Sequence, residues 1–218
     1  MTGPDLYTGY IESLRRHAHC LIVEGFSLMD STAFSDADEP AITGELVGKM
    51  KEFLESPTAP GWVEHYAIAD DPPLNVEGKR GKSRPRVDIE FERACRGKRP
   101  KLRFEAKRLN TAHSHHSVSA YLGPDGLGCF TSGRYPLTHD EAGMLGYVQS
   151  ENEAVWAKRI GDTLAKGKTK YSVIGEPFSE HLIHPQLRHT YVSRHSCQGE
   201  ISPITVRHVL LLLALPAS

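Results

Sequence analysis

The sequence predicts an α/β sandwich: a mixed central sheet of about five strands flanked by helices, folded as one domain over residues 1–218. Three observations predict it. Apolar residues recur at helical spacing within 5–56, alternate with period two in a hairpin inside a core segment at 60–110, and return in helical and strand-like runs over 138–216. A chain of 218 residues is long enough to bury a sizeable core.

The first helix is predicted over 6–24, where Tyr10, Ile11, Leu14, Ala18, Leu21 and Ile22 share a face. His17, His19 and Cys20 fall inside it without the i, i+4 spacing of a zinc-binding pair, and read as structural. A Ser-, Asp- and Ala-rich loop spans 26–40. The second helix begins near Pro40, a residue suited to a first turn, and runs to about Glu55. Ile42, Leu46, Met50, Phe53 and Leu54 make its buried stripe, with Glu45 on the flank.

Residues 62–70 read as the first strand, with Val63, His65 and Ala67 alternating against Trp62, Glu64, Tyr66 and Ile68. The segment 70–85 is rich in Pro, Gly and Lys and has no period, so it reads as a loop. The hairpin, 86–110, is the clearest signal in the chain. Val87, Ile89 and Phe91 oppose Asp88, Glu90 and Glu92; Leu102, Phe104 and Ala106 oppose Arg103, Glu105 and Lys107. A turn near Gly97 brings Asp88 across from roughly residues 105 to 107. Like charges facing each other destabilise a sheet, so a divalent cation is the natural species to offset them.

Beyond Asn110 the chain is Gly- and Ser-rich and without strong pattern. His113, His115 and His116 invite a metal reading but lack a second cluster, so a loop is the better expectation. Residues 140–150 are predicted to be a helix packed through Ala142, Leu145 and Val148. A second amphipathic helix, 151–166, follows on Trp156, Ile160 and Leu164. The basic stretch from Lys166 to Lys170 suits either a phosphate backbone or a polar helix end. Strands are expected at 189–196 and 204–216, the second holding the uninterrupted apolar block Val209–Leu215. His189, Arg194, His195 and His208 beside them read as structural.

Composition removes several classes. No apolar run reaches the roughly 18 residues of a membrane span, and Val209–Leu215 sits at the wrong end for a signal peptide. Four scattered cysteines suggest neither a disulfide framework nor a zinc site, and point to a reducing cytoplasm. There is no G-x-S-x-G elbow, P-loop or dinucleotide fingerprint. Net charge is −1, yet 13 of the 26 Lys and Arg lie between Glu77 and Arg108, against five acids. Cations surrounding carboxylates suit a phosphodiester: the cations hold phosphates and the acids hold metal.

Asp88, followed seventeen residues later by Glu105-Ala106-Lys107, resembles the D…E-x-K core of the PD-(D/E)xK nuclease superfamily, the restriction-endonuclease-like fold. The resemblance covers mainly 42–110, and Pro85 stands three residues before Asp88 rather than beside it. It implies a Mg²⁺-dependent phosphodiesterase, with Mn²⁺ as a substitute, acting on nucleic acid and on DNA before RNA. Asp88, Glu105, the Ala106 carbonyl and Glu45 would hold metal, and Lys107 would act on the attacking water. Glu45 matches the glutamate that many such nucleases carry on the helix before the sheet; an ordinary first-turn glutamate interacting with the helix dipole fits it equally. Gln149 is the candidate for an accessory polar residue facing the site. Lys79, Arg80, Lys82, Arg84, Arg86 and Arg108 are the expected nucleic-acid contacts. Small stand-alone domains of this kind serve restriction, repair or anti-phage defence; a controlling ATPase or sensor and self-association stay open. The competing reading is a nucleic-acid-binding or adaptor domain without catalysis, whose Glu90, Glu92 and Arg103 pair across the strands.

Overall fold

The structure is a computed structural model, and it describes residues 3–112, 114–198 and 201–213. Its centre is one mixed sheet of seven strands in the order β1-β2-β3-β4-β7-β6-β5, rather than about five. The strands are β1 (Tyr66–Asp70), β2 (Ile89–Arg93), β3 (Lys101–Leu109), β4 (Glu141–Val148), β5 (Ser179–Glu180), β6 (Thr190–His195) and β7 (Ile204–Leu212). The three central strands β3, β4 and β7 are parallel neighbours, and every other pairing is antiparallel.

Helices cover both faces. On one, α1 (Gly3–Leu28) and α2 (Glu39–Glu55) pack Leu14, Leu21, Ile22, Leu46 and Met50 against Phe91, Phe104 and Leu145. On the other lie two short helices, α3 (Val118–Tyr121) and α4 (Gly128–Thr131), and the longer α5 (Glu153–Lys166). Their Tyr121, Phe130, Trp156 and Ile160 pack against Met144, Val148, Val206 and Leu210. Both α2 and α5 start on a side-chain cap, Asp38 accepting from the Ala41 amide at 2.9 Å and Asn152 from the Val155 amide at 3.0 Å.

The expected helices 6–24, 40–55 and 151–166 correspond to α1, α2 and α5. The expected hairpin forms, with Ile89 opposite Phe104 and Gly97 at φ +85°, a left-handed conformation glycine adopts without a Cβ penalty. Two assignments change. The segment expected as one strand over 62–70 begins as a 3₁₀ turn, Gly61–His65, before β1. The helix expected over 140–150 is instead β4, buried at every residue. A strand covered on both faces carries no period-two signal, so its apolar residues mimic a helix stripe. Its glycines are the mark: a Cβ on Gly143 would stand 2.2 Å from the Phe104 ring, and one on Gly146 2.6 Å from Leu210. Only a glycine lets β4 sit that close to its neighbours' side chains.

His113 lies outside the described residues, as does the end of the strand expected over 204–216. No disulfide joins the four cysteines, and among the described residues no helix is long and apolar enough to cross a membrane.

Candidate active site

The antiparallel ladder between β2 and β3 ends at Ile89 and Phe104. One step beyond, the chain bends at Asp88 instead of pairing, and its side chain takes over the role of the ladder. Asp88 Oδ2 accepts the Ala106 amide at 2.6 Å. This seats Asp88 beside Glu105, Ala106 and Lys107 at the end of the hairpin. Lys107 Nζ, which follows Glu105 by one strand step, donates to Glu105 Oε1 at 3.0 Å and to the Ala106 carbonyl at 2.6 Å. It also donates to Glu39 Oε1 at 2.8 Å.

Burial decides the electrostatics here. It pushes the Asp88 carboxyl up to about 6, with the Ala106 amide and Lys107 acting against that rise. It pushes Glu105 up to about 7, helped by the negative charge of Asp88 and opposed by Lys107. Lys107 moves the other way: although burial lowers it, Glu105 and Glu39 raise its pKa, so the ammonium stays charged. Glu105 is 5 % exposed, and among the described residues its Oε2 is buried without a well-formed hydrogen bond; the nearby Tyr135 hydroxyl, which helps to lower its pKa, donates to the Arg86 carbonyl instead. A cleft of about 400 Å³ opens beside Asp88, walled by Glu39, Thr43, Asp70 and Asp71.

Glu45, expected at this point, is elsewhere. It pairs with Lys49 at 3.8 Å on a half-exposed stretch of α2. The reason is helix phase: Glu39 and Thr43, one turn apart, face the cleft, and Glu45 lies about 200° around the axis from Thr43. Glu39 therefore takes the place assigned to Glu45. Its signal in the sequence is the acidic first turn itself, Asp38-Glu39-Pro40, which the sheet end meets directly.

Gln149 does not reach the cluster. Its Nε2 donates to the Phe34 and Ala37 carbonyls, at 3.1 and 2.8 Å, and so fastens the loop that leads into α2. Arg108, expected on nucleic acid, helps it: a guanidinium nitrogen donates to the Ala37 carbonyl at 3.0 Å, and its amide donates to Glu39 Oε2 at 3.3 Å. The other guanidinium nitrogen meets His116 Nε2 at 2.6 Å. Arg84 donates to Asn75 at 2.9 Å and Arg86 pairs with Asp71 at 2.6 Å, so both brace the 71–86 loop. Lys79, Arg80 and Lys82 are exposed and form no ion pair among the described residues.

The far end of the hairpin behaves differently. Glu90 is held by Arg103 at 2.7 Å and Lys101 at 2.6 Å, and Glu92 by Arg99 at 2.8 Å and Lys101 at 2.9 Å. These charges neutralise one another. Among the described residues Asp88 and Glu105 have one cation between them, Lys107, which they share with Glu39.

The donors fit magnesium by chemistry: carboxylate oxygens, a backbone carbonyl and the unpartnered Glu105 Oε2. Among the described residues no three His, Cys, Asp or Glu side chains converge as a ready metal cage. Comparisons with protein-family models, with curated proteins and with solved structures each return no match.

Proposed function

We propose that this chain is a metal-dependent nuclease that hydrolyses phosphodiester bonds of DNA at the Asp88–Glu105–Lys107 cluster. A kinship with PD-(D/E)xK nucleases and a restriction-endonuclease-like architecture belong to the same proposal, as do restriction or anti-phage defence as its setting. The observation that carries it is the contrast along one hairpin. Glu90 and Glu92 are neutralised in place, while the partly buried Asp88 and the buried Glu105 are both raised in pKa, and Glu105 is one oxygen short of a partner among the described residues. A protein gains nothing in stability by burying two acids together. Such a pair belongs to a functional site more often than to a scaffold.

Asp88, Glu105 and the Ala106 carbonyl would hold Mg²⁺ or Mn²⁺. When bound, that ion supplies a lowered water pKa and charge neutralisation at the phosphoryl group. The protein does the rest. The Ala106 amide fixes the Asp88 carboxylate, so the ligand does not have to be ordered on binding. Lys107, held charged by Glu105 and Glu39, places a positive group where the attacked phosphate gathers negative charge. Glu39, anchored through Arg108 and the Ala37 carbonyl, holds Lys107 in that place.

The neutralised half of the hairpin also suits a binding module that cuts nothing. Plasmid, linear and single-stranded DNA and RNA incubated with Mg²⁺, with Mn²⁺ and with chelator separate the two. The nuclease reading expects metal-dependent cleavage by the wild type and none by Asp88→Asn. Binding without cleavage under every condition establishes the module instead.

A further inference from the structure

Two cavities lie on the face of the sheet opposite α1 and α2, and neither belongs to the cluster just described. The first, of about 480 Å³, is lined by Lys79, Arg86, Arg134 and Tyr135. The second, of about 540 Å³, is lined by Arg134, Lys170, Tyr171 and the hydroxyls of Ser119, Thr131 and Ser196. Arg134 walls both, so the two adjoin there and can be followed as one groove, with that cation at the junction and a lysine in the lining of each. The groove begins next to the candidate active site. The Tyr135 hydroxyl donates to the Arg86 carbonyl, two residues before Asp88. Cys129, which receives Arg134 at 2.6 Å, is close enough to Glu105 to feel its charge.

Not every cation here is available. Arg86 is bound to Asp71, and Arg134 is partly offset by Asp125 at 2.8 Å. Arg134 is nonetheless 41 % exposed at its side chain, and Asp125 is 85 % exposed, a partner that water screens. Lys79 and Lys170 are exposed and form no ion pair among the described residues; Lys170 stands 5.0 Å over the half-buried Tyr171 ring. Phosphate-binding cations interleaved with an aromatic ring in a concave groove are the pattern of a single-strand track. A duplex offers its phosphates on a convex cylinder. It would rest on the rim, whereas a single strand can follow the floor past Thr131 and Tyr171, both partly buried.

We infer that this groove binds a single strand of nucleic acid, with Lys79, Arg134 and Lys170 on successive stretches of its backbone, and leads that strand to or from the Asp88–Glu105–Lys107 cluster. The inference rests on the nuclease reading for its direction, not for the binding itself. It names the substrate as one with a single-stranded region: a tail, a flap or a displaced strand.

The test is fluorescence anisotropy of a labelled oligothymidylate and of a blunt duplex of equal length, in chelator so that nothing is cut, over a salt series. Lys170→Gln and Arg134→Gln, singly and together, are compared with the wild type. The double variant is expected to bind the single strand at least tenfold more weakly and to lower its salt slope by about 0.7 for each phosphate that is no longer neutralised. The duplex should change less than threefold. Lys170→Gln, an exposed change that leaves packing alone, should by itself show part of the weakening even if Arg134→Gln folds poorly. Single-strand affinity and slope equal to wild type in Lys170→Gln and in a folded double variant would overturn the groove, and so would an equal weakening on duplex. If the wild type cleaves DNA while these variants bind normally, the groove fails and the nuclease reading stands. If the groove variants lose single-strand binding while the wild type cuts nothing, the reverse holds.

Discussion

The Asp88 carboxylate accepts the backbone amide of Ala106 at 2.6 Å, in the position where an antiparallel ladder would have placed a carbonyl. One side chain thereby both ends the β2–β3 pairing and fixes an acid beside Glu105 and Lys107. Asp88→Ala removes the acceptor and leaves that amide to water or to nothing. A net hydrogen bond to a charged group is worth about 1.5–3 kcal/mol, and relief of acidic crowding works against the loss. Thermal unfolding of Asp88→Ala should therefore show a smaller drop than that figure, with Mg²⁺-induced stabilisation abolished.

Metal binding should depend on pH with a definite sign. Asp88 and Glu105 hold protons up to about 6 and about 7, because burial disfavours their charge, and a cation must displace those protons. Calorimetry with Mg²⁺ or Mn²⁺ should show affinity rising from pH 6 to pH 8, with proton release visible as a buffer-dependent heat. Glu105→Gln should flatten the profile and weaken binding at least tenfold.

Glu39 and Glu45 offer a paired comparison within one helix. Glu39→Ala strips Lys107 of a partner at 2.8 Å and frees the Arg108 amide. Loss of a hydrogen bond to a charged, mostly buried group costs about 1.5–3 kcal/mol. Glu45→Ala removes only a half-exposed i, i+4 pair, worth about 0.3–0.5 kcal/mol. Denaturant midpoints that rank the two the other way would place the wrong glutamate at the cluster.

Away from the site, His208 is fully buried between the Tyr121 hydroxyl at 3.0 Å and the Ser193 hydroxyl at 2.7 Å, and Ser193 also meets His195 at 2.7 Å. Burial lowers the His208 pKa to about 3. The folded state keeps it neutral while the unfolded chain takes up a proton below about 6.5. Its contribution to stability is thus complete above 6.5 and is lost as pH falls towards 3. The fall in melting temperature between pH 7 and pH 4 should be smaller in His208→Gln than in the wild type.

How much the sequence reveals follows from how many faces of an element are polar. The hairpin has one polar side, although Glu90, Arg103 and Glu105 on it are buried, so alternation displays Asp88, Glu105 and Lys107 together; α1, α2 and α5 show apolar stripes because their other faces are polar. β4 has no polar side at all, and Gly143 and Gly146 look like breaks in a helix until Phe104 and Leu210 are seen against them. The choice between Glu39 and Glu45 depends on which turn of α2 crosses the sheet end, a packing fact that no spacing within the helix encodes. Gln149 and Arg108 have the polarity of ligand-facing residues, yet both are spent on the Ala37 carbonyl, a bond between segments 71 or more residues apart.

Lys107 carries the most direct test, because its ammonium bonds Glu105, Glu39 and the Ala106 carbonyl at once yet is not itself a metal ligand. The measurement is the single-turnover rate of DNA cleavage in saturating Mg²⁺ for the wild type and Lys107→Ala, with DNA affinity measured in parallel in chelator. Loss of one preorganised electrostatic interaction should slow cleavage by about 10²–10³, while affinity changes only as much as one phosphate contact allows. A Lys107→Ala protein that cleaves at the wild-type rate, or a wild type that cleaves equally well in chelator, contradicts the assignment.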